Sequence, residues 1–151
     1  RMPESRPKPY LLHDIIDETV NLYNGVKSNV EITKQFDPKI RLINIDYEQI
    51  KRVFVNIIDN AIDAMNGGGR IEIGTYLDEM HDTVKVKISD CGEGINTEDK
   101  VKLFIPYFTT KKRGTGLGLA IANRILKDHN GTIKAIPNKV KGTTFLIELP
   151  V

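Results

Sequence analysis

Apolar residues recur along this chain with two periods, and the changes from one to the other mark out its elements. Leu12, Ile15, Ile16, Leu22 and Tyr23 fall at helical spacing, with Gly25 as a stop. Val30, Ile32 and Phe36 then alternate with polar residues until Asp37-Pro38 breaks the run. Ile40, Leu42, Ile43 and Ile45 add a second short strand, and the two are expected at a sheet edge. The strongest helical pattern lies between Asp46, a fitting N-cap, and Met65, where Ile50, Val53, Phe54, Ile57, Ile58, Ala61 and Ile62 form a nearly unbroken stripe. Gly67-Gly68-Gly69 ends it. A hairpin follows, with Ile71, Ile73 and Leu77 on one arm, Val84, Val86 and Ile88 on the other, and Asp78 to Asp82 as the turn. Leu117, Ala120, Ile121 and Ile125 predict a last helix ending at Asn130-Gly131, and strands over Thr132 to Ile136 and Thr143 to Leu149 finish the chain. Pro3, Pro7 and Pro9 cannot sustain a helix, so residues 1–10 are expected as a linker and residues 11–151 as one domain.

Composition narrows the class. At 151 residues and 40% apolar content the chain is the size of one domain with a real core. A formal charge of +2, with no basic run interleaved with aromatics, argues against nucleic acid or direct membrane contact. The single cysteine, Cys91, allows no internal disulfide, and no apolar run is long enough to span a bilayer. A cytoplasmic setting is expected, with a parent protein that could be anchored in the inner membrane.

Candidate chemistry sits where these elements end. Asp90 is in phase with Val84, Val86 and Ile88, so its carboxylate falls on the buried face at the strand end and needs a hydrogen-bonding partner from protein, such as a turn amide, from water or from a ligand. Asn56 and Asn60 lie one turn apart on the border of the long apolar stripe, although asparagine is a poor helix former. Gly114, Gly116 and Gly118 alternate directly before a helix, where bare N–H groups and the dipole favour an anion. Lys111, Lys112 and Arg113 abut them as the one local basic cluster. Thr143 shares the inward phase of Phe145, Ile147 and Leu149, placing a hydroxyl on the core side.

In order, Asn56-x-x-x-Asn60-Ala61, Asp90-x-Gly92-x-Gly94, Phe104 to Lys111, Gly114-Thr115-Gly116-Leu117-Gly118-Leu119 and Gly142-Thr143 resemble the N, G1, F and G2 boxes and late Gly-Thr of sensor histidine kinase catalytic domains. The resemblance spans roughly residues 11–150, and the Phe104 to Lys111 form with the Arg-Met-Pro start looks most like the nitrogen-regulation branch. It implies the Bergerat fold, a two-layer α/β sandwich with three main helices on one face of a mixed sheet and a mobile ATP lid over about Ile95 to Thr115. It further implies Mg²⁺ on Asn60, Asn56 assisting at metal or phosphate, Asp90 accepting from the adenine amino group, and Thr143 supporting the base. Gly94 would let the chain approach the base, and Gly116 and Gly118 would present N–H groups to phosphate. The implied nucleotide site also takes in Gly92, Ile95, Thr109, Thr110, Lys111, Gly114, Thr115, Leu117 and Leu119. One departure is Asp63, where many family members carry a phosphate-facing lysine; positive charge would come from Lys111 or Lys112, or Asp63 simply faces solvent.

ATPases of the same fold place a glutamate where Asn56 stands, to activate water. A carboxamide cannot take that proton, so transfer to an acceptor is preferred over hydrolysis. His13, His81 and His129 lack the His-Glu-x-x-x-Pro setting of the family's phosphoacceptor. The expected partners are therefore a phosphoacceptor and dimerisation domain of the same parent, preceding Arg1, and a response regulator downstream. The alternatives are a Bergerat-type ATPase or serine kinase, or a nucleotide-binding module without transfer.

Overall fold

The computed structural model describes residues 3–24, 29–100, 102–106, 108 and 116–151. Its main sheet has the strand order β2-β4-β5-β7-β6, built from β2 (Val30–Gln35), β4 (Gly69–Asp78), β5 (Thr83–Ser89), β6 (Thr132–Pro137) and β7 (Thr143–Pro150). β2 runs parallel to β4 and every other neighbouring pair is antiparallel, so the sheet is mixed. A separate two-stranded sheet pairs β1 (Lys8–Tyr10) with β3 (Ile43–Ile45). The helices are α1 (Leu12–Asn21), α2 (Tyr47–Ala64), the short α3 (Thr97–Lys100) and α4 (Gly118–Asp128).

A single core joins the inward residues of α1, α2 and α4 to those of the sheet. Phe54 of α2 and Phe145 of β7 are its largest fully buried side chains, and Ile71, Ile73, Val84, Val86, Ile88, Ile147 and Leu149 supply the sheet's inner face. The alternate residues Glu72, Tyr76, Lys87 and Lys134 are exposed on the other face, so the helices cover one side of the sheet only. This is the expected two-layer sandwich. Among the described residues no helix is long and apolar enough to cross a membrane.

α2 is the central element, packed on α1, α4, β4 and β5. Asp46 caps it as expected, its carboxylate accepting from Gln49 N–H at 3.1 Å. The backbone N–H of Asp46 in turn donates to His129 Nε2 at 3.0 Å, while His129 Nδ1–H donates to Ile125 O at 2.8 Å. A neutral imidazole with its proton on Nδ1 satisfies both bonds, and so ties the start of α2 to the end of α4. His129 is thus a packing residue.

The structure departs from the sequence expectations at several points. Residues 8–10, expected within a linker, form an edge strand; Pro9 is tolerated there because only one neighbour has to be paired. The second short strand is confined to β3 and pairs with β1 rather than with the main sheet, leaving Leu42 62% exposed. Leu22 lies past the end of α1 and is half exposed. In α4 the deeply buried positions are Leu119, Ala122, Ile125 and Leu126, whereas Ile121 packs at the margin of the core. The wider stripe follows from packing against both α2 and β6. The expected stop at Gly25 lies outside the described residues.

His13 on α1 stacks on Phe36, with ring centroids 4.2 Å apart, and its Nε2 is 2.9 Å from Thr75 Oγ1. Burial lowers its pKa from 6.5 against the opposing pull of Asp17, Asp14 and Asp37. The folded state therefore prefers the neutral ring. This contribution to stability is complete above pH 6.5 and is lost as pH falls through the lower folded pKa. Urea unfolding of His13→Gln is expected to show a flatter decline of stability on the acid side of neutrality than the parent; identical slopes would contradict it.

Candidate functional site

At the end of β5 the chain turns sharply with Asp90 4% exposed, so a carboxylate is held out of water. Its Oδ1 accepts from Gly92 N–H at 2.9 Å and from Thr143 N–H at 3.2 Å. Among the described residues nothing bonds Oδ2. Burial raises the Asp90 pKa above 3.8, and the two N–H donors work against that rise. The turn amide foreseen as one partner type is therefore present, while half of the acceptor capacity is left over.

Close backbone approach fixes this corner. A Cβ on Gly142 would lie 2.0 Å from Asp90 O, and Gly142 has φ +95°, so only glycine passes here. A Cβ on Gly92 would sit 2.6 Å from Ala64 O, the last carbonyl of α2, to which Glu93 N–H donates at 3.2 Å. The Asp90 turn is thereby fastened to the C-terminal end of α2. Gly94 (φ +84°) continues the turn, and Ile95 packs against the core margin.

Asn56 and Asn60 are both half-buried on α2. Asn56 Nδ2 donates to Gly118 O at 2.9 Å, so it locks the start of α4 to α2, and among the described residues its own oxygen has no donor. The Asn60 carboxamide has no hydrogen-bond partner among the described residues, and Asp63 is exposed. Gly116 has φ +75°, and Leu117 stands at the N-cap of α4 with αR dihedrals and makes no cap bond through its own side chain. The first intrahelical bond is Ile121 N–H to Leu117 O, so the N–H groups of Gly118, Leu119 and Ala120 have no intrahelical acceptor. Leu119 turns its side chain into the core, which leaves only its backbone to face a ligand. Thr143 holds Asp90 through its backbone on both sides, also accepting from Asp90 N–H at 2.9 Å.

Thr109, Thr110, Lys111, Gly114 and Thr115 lie outside the described residues, as do Lys112 and a further part of the expected lid. In its described part Ile95, Leu103 and Phe104 pack on the core, with Phe104 edge-on to Phe145 at 6.5 Å.

Sequence reasoning missed Asn138. Its Nδ2 donates to Asp90 O at 2.9 Å, with Ser89 Oγ at 3.1 Å and Lys141 O at 3.3 Å also in range, and its Oδ1 accepts from Thr144 Oγ1 at 2.6 Å. Asn138 thus clamps the backbone of Asp90 from the far side, between β6 and β7. Its only sequence signal was a turn-type residue ahead of Gly142. Asn138→Ala is expected to cost about 1 to 2 kcal/mol of unfolding free energy. Asn138→Asp should cost more, because it sets an acceptor against the Asp90 carbonyl; thermal unfolding of both variants gives the order, and a milder Asp variant would refute the clamp.

Residues 45–151 match the family described as histidine kinase-, DNA gyrase B-, and HSP90-like ATPase. Sporulation kinase C of Bacillus subtilis (strain 168) is 39% identical over 147 residues, which are 95% of this chain and 34% of that protein. The signal transduction histidine-protein kinase AtoS of Escherichia coli (strain K12) is 38% identical over 144 residues, 93% of this chain and 23% of that protein. The chain therefore spans about a third or less of these relatives. The nucleotide-free catalytic domain of histidine kinase ThkA superposes with a TM-score of 0.85 at 33% identity, covering 96% of this chain and 95% of that one. ThkA in complex with the response regulator protein TrrA gives 0.81 at 30% identity, covering 97% of this chain and 42% of that one. With sheet order, boxes and relatives in agreement, the chain belongs to the histidine kinase-, DNA gyrase B- and HSP90-like ATPase family and is within it a catalytic ATP-binding domain of the histidine-kinase kind.

Proposed function

We propose that this domain binds Mg-ATP where the Asp90 turn, the Asn56–Asn60 border of α2 and the start of α4 converge, and passes the γ-phosphate to a histidine on a phosphoacceptor domain of its parent protein. The observation that carries the proposal is Asp90: a buried carboxylate whose Oδ1 is saturated by two backbone donors and whose Oδ2 is left to accept from a ligand. An exocyclic amino group such as that of adenine supplies the missing donor. The N-terminus of α4 supplies N–H groups suited to phosphate, alongside the resemblance-implied donors of Thr109, Thr110, Lys111, Gly114, Thr115 and Gly116.

The residues fit a magnesium ion. Among the described residues no cluster of three His, Cys, Asp or Glu side chains forms a closed metal centre. Asn60, with an unpartnered carboxamide, and Asn56, whose amide nitrogen is already engaged by Gly118 O, offer the sparse oxygen ligands that Mg²⁺ accepts together with phosphate and water. The ion would neutralise phosphate charge. Asn56 cannot serve as a base for water, so slow hydrolysis and transfer to a separate acceptor follow.

The acceptor histidine is assigned to another domain because His129 is consumed in packing, His13 is stacked on Phe36, and His81, paired with Asp78 at 2.8 Å, lacks the His-Glu-x-x-x-Pro setting. A response regulator is proposed downstream on the likeness to ThkA, which has been solved with one. The Phe104 to Lys111 form favours the nitrogen-regulation branch, but the matched relatives are a sporulation kinase and AtoS, so the proposal stays at the level of sensor histidine kinases.

Incubation with labelled ATP and a separately made phosphoacceptor domain is expected to give acid-labile, base-stable phosphate on the acceptor. Acid-stable phosphoserine, or fast phosphate release without an acceptor, would reject the proposal. Asn60→Ala should fold normally, weaken Mg²⁺-dependent ATP binding and abolish transfer; unchanged Mg²⁺ dependence would remove Asn60 from the site.

Asp90→Asn separates fold from recognition. Its amide oxygen can still accept from Gly92 and Thr143, and the cost of burying a charge disappears, so stability above the normal carboxylate range should not fall. Its NH₂ would now face the adenine amino group. A lost hydrogen bond to a charged acceptor, about 1.5 to 3 kcal/mol, implies roughly tenfold to over a hundredfold weaker ATP binding. Inosine triphosphate, with a carbonyl at that position, should lose far less. Calorimetric titration showing equal losses for both nucleotides would mean that Asp90 does not read the base.

A further inference from the structure

The uncovered face of the sheet carries a groove of about 680 Å³ that the nucleotide reading does not use. Its floor is Gly74 on β4, and its walls include Phe36, Pro38, Tyr76, Lys87 and Leu146. That volume lies within the range of roughly 300 to 1,000 Å³ typical of ligand sites. The glycine is the informative residue. Gly74 has no positive φ, and a Cβ there would meet nothing closer than Gln35 O at 3.8 Å, an ordinary contact. Neither backbone conformation nor packing calls for glycine in the middle of this ten-residue strand, where it weakens the strand. Its phase points it to the outer face with Glu72 and Tyr76, so what it preserves is the depth of the groove.

Charge defines what would fill that space. Gly74, Lys87, Leu146 and Lys134 form one row across β4, β5, β7 and β6. Lys85, in the neighbouring row, is already paired with Asp78 at 3.1 Å and Glu148 at 3.6 Å. Among the described residues neither Lys87 nor Lys134 has an ion-pair partner, and strand spacing sets their Cα atoms about 10 Å apart with Leu146 between them. Glu72 and Glu148 share the face, so its field does not suit an anionic bilayer or a nucleic-acid backbone. Asp37 also lines the groove, but its carboxylate already accepts from the N–H groups of Lys39 and Leu77. Phe36, Pro38, Tyr76 and Leu146 around a vacant floor, with Lys87 in the lining and Lys134 on the strand beyond Leu146, match a short segment that offers a bulky apolar side chain beside carboxylates.

We propose that this groove docks an acidic peptide segment of a protein partner, with an aromatic or branched apolar side chain seated over Gly74 and carboxylates on Lys87 and Lys134. The site is separate from the nucleotide residues and does not depend on their assignment.

The test uses a short fluorescein-labelled peptide with one phenylalanine flanked by glutamates, titrated with the protein and followed by anisotropy. Saturable binding that weakens with salt is expected. Gly74→Val should reduce it at least about tenfold without lowering the melting temperature, since a β-branched residue suits an open strand position. Lys87→Glu should reduce it similarly, and ATP binding should be unchanged in both. The proposal is overturned by an absence of saturable binding to the parent protein or by unimpaired binding to Gly74→Val. Equal affinity for a serine-for-phenylalanine peptide would also overturn it, by showing charge attraction alone. Sedimentation of the parent protein is the remaining arm: a dimer abolished by Gly74→Val would assign the groove to a second copy of this chain instead.

Discussion

A buried carboxylate at the end of a strand is the constraint from which the surrounding architecture follows. Asp90 lies almost wholly out of water, and an ion placed there has to be met by donors. Two backbone N–H groups do so, one from the turn that follows it and one from the first residue of β7. Bringing those amides within reach presses the 142 backbone onto the Asp90 carbonyl and the 92 backbone onto the last turn of α2. Glycines are needed at both contacts, and Asn138 is needed to satisfy the carbonyl behind them. A single charge thus coordinates β5, β7, the β6–β7 turn and α2.

α2 carries the complementary half of the arrangement. Its apolar stripe fills the centre of the core, while Asn56 and Asn60 sit where core gives way to surface. Asparagine is unfavourable in a helix interior, and only Asn56 recovers the deficit through a structural bond, to Gly118 O. That bond aligns the open N-terminus of α4 with α2. His129 anchors the other end of the same helix pair, so the α2–α4 angle is set at two points more than two turns apart. The start of α4 therefore does not depend on its own cap.

How far the sequence disclosed this depends on the range of the interactions. α2, the β4–β5 hairpin and the inward phase of Asp90 were readable because each follows from a local period of hydrophobicity. Asp46 as a cap was readable for the same reason, since the cap bond spans three residues. The β1–β3 pairing was not, because Pro9 argues against a strand and its partner is more than thirty residues away. Asn138 and His129 were passed over for a related reason. Their partners lie 48 and 83 residues away, where spacing carries no signal. The likeness to a known family supplied ligand roles that no periodicity contains, and the lid residues on which several of those roles fall lie outside the described structure.

Satisfied polar groups tie the scaffold together, and some of the open ones converge on the candidate site. Thr19, Asp46, His129 and Asn138 are partly or fully buried and each has its hydrogen-bonding capacity taken up within the fold. Among the described residues Asn60 and Asp90 Oδ2 are held in place by neighbours yet have no hydrogen-bond partner, and the first N–H groups of α4 have no intrahelical acceptor. Ser5 Oγ, Gln49 Oε1 and Thr83 Oγ1 are also buried without a partner among the described residues, so an open polar group does not by itself mark a site. What sets Asn60, Asp90 Oδ2 and the start of α4 apart is where they lie. Here they fall on segments tied directly to α2, through Gly118 O on one side and Ala64 O on the other. An acceptor, a carboxamide and a set of N–H donors held open on a shared support form a chemical complement to an amino-bearing base, a metal ion and a phosphate. A ligand that pairs them would add its binding free energy to the stability of the folded state.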